Sequence, residues 1–196
     1  CQDLVKEAEK KGADVYDQIN KDVAAVAPGS NRLLYLPYLM GERTPHLDPD
    51  CRGVFFGLSA IHTRKHLLRA VMEGVAYSLC DCNEILKEMG IRVDCMKACG
   101  GGGKSPVWRQ MLADLYNCSV ERVVQDEGPA LGAAILAGVA CGIYESVEKA
   151  CDQLITSRDS TDPKAEEVAV YEKYHRLYQK LYTSLKNDYK ELAELV

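Results

Sequence analysis

The chain has no excess of positive charge: 24 Lys and Arg stand against 29 Asp and Glu, a formal net charge of −5 over 196 residues. Nucleic-acid binding draws on clustered cations that neutralise phosphates, so no nucleic-acid partner is expected. No apolar run approaches the roughly 18 residues that a membrane span needs, so no membrane partner is expected either. The first residues, CQDLVKEAEKKG, are charged throughout and do not read as a secretory leader. There is also no initiator Met, which suggests a piece of something longer. Nine cysteines occur without one Cys-x-x-Cys spacing, which removes the usual zinc and dithiol readings. They are scattered at Cys1, Cys51, Cys80, Cys82, Cys95, Cys99, Cys118, Cys141 and Cys151, several beside Leu and Val. Reduced thiols serving as small hydrophobes in a cytoplasmic protein are the expectation. Internal repeats and low-complexity tracts are missing too.

What is present suits a packed α/β protein. The length fits one domain, or one with an appendage, and 47% apolar residues supply a core. Residues 2–26 read as helical with a break at Gly12. Turn chemistry at 27–31 leads into LLYLPYL (33–39), a strand-like run cut by Pro37. A polar loop over 41–53 precedes GVFFGLS (53–59), read as a strand buried on both faces. The spacing predicts a long helix over 62–89, with an apolar stripe from Leu67, Ala70, Val71 and Gly74 on to Met89, stopped by Gly90. Short strands at 93–99 and 119–124 alternate with helices at 106–116 and 130–142, which places both strands in a buried, parallel part of a sheet. Ser105 is positioned to cap the helix that Pro106 begins. A short helix near 146–154 and an exposed polar connection, TSRDSTDPKAEE, lead to a last helix over 164–196. Its apolar face is Val170, Tyr174, Leu177, Leu181, Leu185, Tyr189 and Leu192.

The stretch ACGGGGKS (98–105) raises the question of a phosphate-binding loop. The P-loop pattern requires Gly where Ala98 stands, and its Ser lies inside a helix, whereas Ser105 precedes Pro106. A dinucleotide fingerprint fails because Ser105 stands where its last Gly belongs. Four glycines are still more than a tight turn requires. They let a backbone approach a ligand closely, and the helix that follows would aim N–H groups at the turn. That favours a ligand role over turning alone.

GGGGKSPVWRQMLADL, with EGPALGAAILAG downstream, resembles the C-terminal half of the FGGY carbohydrate kinases, and within them the bacterial xylulokinases. LPYLMGERTPHLDPDCRGVFFGL and HLLRAVMEGVAY occur in the family's order. Gly53, Phe55, Gly57-Leu58, His66-Leu67 and Ala70-Val71-Met72-Glu73 fit its second signature. The resemblance implies a ribonuclease-H-like domain of the actin-like ATPase fold: a mixed sheet flanked by helices, with a long C-terminal helix. The chain would be one nucleotide-binding domain, with N-terminal helices over 1–32, an α/β core over 33–160 and a C-terminal helix over 161–196. It would be incomplete at its N-terminal strands.

The resemblance also implies transfer of the γ-phosphate of ATP, with Mg²⁺, to a ketose hydroxyl, first of all D-xylulose to D-xylulose 5-phosphate. Ribulose, gluconate or glycerol kinases, or a non-catalytic actin-like nucleotide-binding regulator, are the alternatives. Gly101, Gly102 and Gly103 would lie against the ribose and α-phosphate side of the nucleotide, with Lys104 and Ser105 beside them. The general-base Asp and the phosphate hairpin belong to parts outside this chain, so no catalytic or metal residue is expected in it, and the isolated chain should be inactive. Partners are then ATP, a small sugar and the missing N-terminal domain. Self-association, as a homodimer or in another form, is expected as well, because the 53–59 strand would lack its upstream partner.

Other motifs read more plainly. Gly132, Ala133 and Ala134 read as small residues for close helix packing, Gly128 and Pro129 as shaping a turn, and Glu127 as a solvated or supporting carboxylate. Arg43 is expected to fix its loop by pairing with Glu42 or Asp48. His62 and His66 look like half a zinc site without the rest.

Overall fold

Caps and glycines decide where the helices of this chain begin and end. The computed structural model describes residues 2–124 and 128–195. In chain order it contains α1 (Gln2–Lys11), α2 (Val15–Ala24), β1 (Leu34–Leu36), β2 (Val54–Phe56), α3 (Arg64–Glu88), β3 (Cys95–Ala98), α4 (Gly100–Lys104), α5 (Pro106–Tyr116), β4 (Ser119–Val123), α6 (Gly128–Ala140), α7 (Val147–Leu154), β5 (Ser157–Thr161) and α8 (Ala165–Glu194). Asp14 caps α2, its carboxylate accepting from the Tyr16 N–H at 2.8 Å. α3 ends as predicted at Gly90: the N–H groups of Gly90 and Ile91 turn back to the carbonyls of Lys87 and Leu86, at 2.9 Å each. That closure needs a left-handed residue, and Gly90 supplies φ +80°.

The chain divides into two units. One comprises Cys1–Arg92, Asp114–Tyr116 and Lys164–Val196, the other Val93–Ala113 and Asn117–Pro163. The expected segments over 1–32, 33–160 and 161–196 are cut differently by this grouping, since the last helix goes with the N-terminal residues.

In the first unit β1 and β2 pair antiparallel, with Leu34 opposite Phe56 and Leu36 opposite Val54. α3 lies directly on β1, because Gly74 has no side chain there; a Cβ would come within 2.2 Å of the Tyr35 carbonyl oxygen. Leu33, Tyr35 and Ala70 form the core of that contact, with Leu67 and Val71 packed against them. Two expectations fail here. The strand within 53–59 finds its partner inside the chain, in β1, and it is not buried on both faces, since Phe55 and Phe56 are 39% and 46% exposed.

The helical stripes also differ from those expected. On α3 the buried positions include Arg69, Glu73, Tyr77 and Asp81, four residues apart on one face. On α8 they are Val168, Tyr171, His175, Tyr178, Leu181, Tyr182 and Tyr189, while Leu177 and Leu192 are exposed. A stripe drawn through aliphatic residues misses this face because its contacts are polar and aromatic. The rings of Tyr77 and His175 stack at 5.8 Å, and those of Tyr77 and Tyr178 lie 5.3 Å apart. Arg69 donates to Glu73 at 2.7 Å and to the Tyr171 hydroxyl at 2.8 Å.

Glu73 does more than pair with Arg69. It accepts from the Gly29 N–H at 2.9 Å and the Ser30 hydroxyl at 2.7 Å. These residues open a turn in which Gly29, Ser30, Asn31 and Arg32 all have positive φ, at +81°, +46°, +55° and +71°. A left-handed non-glycine residue costs about 1–2 kcal/mol, so the turn depends on this buried carboxylate to hold it.

In the second unit the strand order is β3-β4-β5. β3 and β4 run parallel, with Cys95 opposite Ser119 and Ala98 opposite Arg122, and β5 returns antiparallel to β4. β5 occupies what was expected to be an exposed connection. Ser157–Thr161 contains no apolar residue, so the alternation that marks a strand is absent, and backbone pairing on an exposed edge forms it instead. β3 is likewise not the buried strand expected, with exposed Cys95 and Lys97. On α6 only Ile135 and Gly138 are buried; Ala133 and Ala134 are exposed, and a Cβ at Gly132 would meet nothing. The close-packing role expected there falls to Gly138, where a Cβ would lie 2.8 Å from the Tyr144 ring.

Among the described residues the cysteines are unpaired, as expected. Cys51, Cys80 and Cys118 are buried, but Cys95, Cys99 and Cys141 are exposed and do not serve as small hydrophobes.

Candidate functional site

The glycine run leaves β3 as a helical turn and not as an open loop. Cys99 is extended, at φ −120° and ψ 171°, and Gly100–Lys104 then forms the single turn of α4. Gly100 enters it at φ +69°, a conformation that glycine adopts without strain. Ser105 ends it in an extended conformation, as a residue before proline must. The Ser105 hydroxyl accepts from the Trp108 N–H at 3.1 Å, which is the predicted cap of α5.

The three central glycines are not equivalent. Gly103 is buried, and a Cβ on it would stand 2.8 Å from the Ala98 carbonyl oxygen and 2.9 Å from its carbon. At Gly102 a Cβ would meet only the Trp108 ring, at an ordinary 3.8 Å, and at Gly101 it would meet nothing. Gly103 is therefore required by the fold, whereas Gly101 and Gly102 leave backbone open to solvent. Lys104 is exposed and Ser105 is buried. All five predicted residues thus fall on one turn, but Ser105 faces inward as a cap.

The supply of free N–H groups expected at the following helix is mostly used. Pro106 has none, the Trp108 N–H goes to the Ser105 hydroxyl, and the Arg109 N–H goes to the Ser105 carbonyl at 3.0 Å. The start of α5 is consequently a poor cradle for a phosphate chain. Beside it a cavity of about 410 Å³ begins at Cys99, the residue that caps α4. Val123, Leu131, Ile135, Leu136 and Ile155 give it apolar walls, and Gly128 and Gly132 also line it. An apolar cavity next to an open glycine backbone suits a planar ring carrying a polar edge. Glu127 lies outside the described residues.

The first unit holds a cluster that the sequence reading did not assemble. Asp81, Glu84 and His175 place one ligand-type atom each within 4.8 Å of one another. Both ring nitrogens of His175 face carboxylates: Nε2 lies 2.7 Å from Asp81 and Nδ1 3.7 Å from Glu84. Gln179 donates to both acids, at 2.8 and 2.7 Å. With a carboxylate facing each ring nitrogen, the geometry is that of an imidazolium clamped between two acids. Burial works against the charge, but the hydrogen bond to Asp81 and the neighbouring Cys80 outweigh it and hold the His175 pKa up at about 10. The signal available in the sequence was the polar series Arg69, Glu73, Tyr77, Asp81 at helical spacing, opposite a His within a Tyr-rich helix.

The remaining motifs are structural. Arg43 is exposed and makes no ion pair among the described residues. Its loop is closed by the backbone pair of Glu42 and Asp48, at 2.8 Å in both directions, and by the Tyr182 hydroxyl donating to Asp48 at 3.0 Å. His62 accepts from the Ser59 N–H on Nδ1 at 2.9 Å, so its Nε2 carries the proton and donates to the Asn31 carbonyl at 3.0 Å. His66 accepts from the Thr63 N–H at 3.1 Å and completes the cap of α3.

Comparison with known proteins agrees with this geometry. Residues 1–141 match the C-terminal domain of the FGGY family of carbohydrate kinases. The chain is 42% identical over 172 residues to the xylulose kinase of Bacillus subtilis, covering 88% of this chain and 34% of that protein. It is 38% identical over 190 residues to the gluconokinase of Bacillus licheniformis, covering 96% and 37%. Among solved structures, the ligand-bound xylulose kinase from Lactobacillus acidophilus superposes with a TM-score of 0.83 at 28% identity, over 96% of this chain and 39% of that one. The chain spans about a third of the length of the curated relatives it matches, 34% in the first case. Its mixed sheet with flanking helices and its long C-terminal helix are those of the actin-like ATPase fold.

Proposed function

Since this chain belongs to the FGGY family of carbohydrate kinases, we propose that it is the C-terminal nucleotide-binding domain of an ATP-dependent kinase for D-xylulose. The observation that carries this reading is the glycine turn. Gly101 and Gly102 expose backbone with room above it, and Cys99, which caps the same turn, lines the apolar cavity. The adenosine part of ATP meets this surface, the ribose against Gly101 and Gly102 and the base toward the cavity. Lys104 stands at the exposed end of the turn, and Ser105 keeps the turn in shape.

In the reaction the bond between the β–γ bridging oxygen and the γ-phosphorus breaks as a sugar hydroxyl oxygen bonds to that phosphorus. The hydroxyl proton passes to a carboxylate base outside this chain, and ADP leaves. The residues here do not suit Mg²⁺: among the described residues the one cluster of three ligand-type side chains is already clamped on His175. The ion that accompanies ATP is held elsewhere in the enzyme. The setting is the cytoplasm, in keeping with unpaired thiols and with the lack, among the described residues, of a helix long and apolar enough to cross a membrane.

Gluconate is the second candidate substrate, favoured by the gluconokinase relatives at 38% and 36% identity. The test replaces Gly102 by Val in the full-length kinase. A Cβ there meets only the Trp108 ring at 3.8 Å, so the fold should tolerate it while the ligand does not. The KM for ATP should rise about tenfold, a loss of ~1.4 kcal/mol, with the KM for sugar unchanged. Equal rises in both would refute a nucleotide role for the turn.

A further inference from the structure

We propose that Arg109 is a positioning residue, whose buried guanidinium holds the glycine turn in the shape that receives nucleotide. The proposal rests on the reading that this turn carries the nucleotide.

A run of four glycines cannot hold its own shape. Each has the greatest backbone freedom of any residue, and α4 spans only Gly100–Lys104, far short of the length at which a helix sustains itself. The shape is therefore imposed from outside. One restraint is steric, the contact of Gly103 with the Ala98 backbone. A second is the Ser105 N–H bond to the Gly102 carbonyl at 3.1 Å. The third comes from a side chain: Arg109 Nη1 donates to the Gly103 carbonyl oxygen at 2.6 Å.

Arg109 sits on the first turns of α5 and is only 7% exposed. Its own N–H is bonded to Ser105, and its Nε reaches the Thr161 hydroxyl of β5 at 3.5 Å. The guanidinium thus ties the glycine turn to the edge strand. Burying a cation costs free energy unless hydrogen bonds offset it, and here the shortest of those bonds goes to the glycine turn. Releasing the Gly103 carbonyl would free the peptide planes on either side of it, which include the backbone of Gly102 that faces the ligand.

The test uses the chain itself. Its one tryptophan is Trp108, whose ring lies against Gly102, so its fluorescence reports ATP arriving at the turn. Wild type, Arg109→Met and Arg109→Lys are titrated with ATP, and amide hydrogen exchange is followed in each. We expect wild type to respond. Arg109→Met should bind about tenfold more weakly, the loss of one charge-assisted bond, with faster exchange confined to residues 100–105. Arg109→Lys, whose ammonium reaches the same carbonyl, should recover most of the affinity. No ATP response in folded wild type would overturn the nucleotide reading and this proposal with it. A response in wild type that Arg109→Met leaves unchanged would overturn this proposal alone. Exchange rising throughout the unit in both variants would do the same, because Arg109 would then be a general support of the fold.

Discussion

The clamp around His175 makes a quantitative prediction about pH. His175 is 6% exposed and faces Asp81, Glu84 and Cys80, with Tyr77 and Tyr178 against its ring. Burial alone would discharge it; the Asp81 hydrogen bond and its neighbours keep it charged up to a pKa of about 10. An unfolded His titrates near 6.5. The folded pKa is the higher, so the clamp's contribution is complete below pH ~6.5 and is lost as pH rises to about 10. One proton sets the steepest possible loss at about 1.4 kcal/mol per pH unit. From pH 7 to pH 9 the limit is about 2.7 kcal/mol, and solvent around the half-exposed Glu84 should reduce it to about 1–2 kcal/mol. The perturbation is Asp81→Asn, which keeps the shape and removes the charge. Urea unfolding of wild type and variant at pH 7, 8 and 9 measures the difference. Tyr, Lys and other Cys residues contribute to both proteins and cancel in the comparison. The variant should be less stable at pH 7 and should lose less on going to pH 9. Parallel pH profiles would refute the reasoning, because His175 would then be neutral in the folded chain.

Three further outcomes follow from the geometry. Gly103→Ala forces a Cβ to within 2.8 Å of the Ala98 backbone and should cost about 1–3 kcal/mol in thermal or urea unfolding, unlike Gly102→Ala, which should be neutral or slightly stabilising in a helical turn; equal effects at the two positions would refute the packing described. The chain alone should show no phosphate transfer from ATP to D-xylulose, and turnover that scales with its purified concentration would place catalytic groups within it. Light scattering across concentration should show self-association through the second edge of β2, whose first edge is taken by β1; a strictly monomeric species would show that this edge is covered.

The sequence was legible where local chemistry decides. Gly12, Gly90 and the Ser105-Pro106 pair end or begin helices where turn chemistry says they should, and the glycine run sits between strand and helix as its residues suggest. It was less legible where tertiary contacts override pattern. β5 has no apolar residue to betray it and exists because β4 offers a free edge. The buried faces of α3 and α8 carry Arg69, Glu73, Asp81 and His175, which a hydrophobic count assigns to solvent. The open backbone of Gly101 and the indispensable packing of Gly103 look identical as letters. Only the position of the Ala98 carbonyl separates them.

The grouping of the chain also sets an order of events during its synthesis. The Arg69 side chain in α3 must wait for Tyr171, which lies 102 residues further on. At ~5–20 residues per second that is a delay of about 5–20 s. Val93–Pro163, apart from the short stretch over 114–116, meanwhile has all its own strands and is free to assemble first. The unit that holds α3 is therefore completed only when α8 leaves the ribosome. Until then α3 presents a face of buried-type charges and aromatic rings without its cover, the interval in which a nascent chain is most exposed to chaperones and to aggregation.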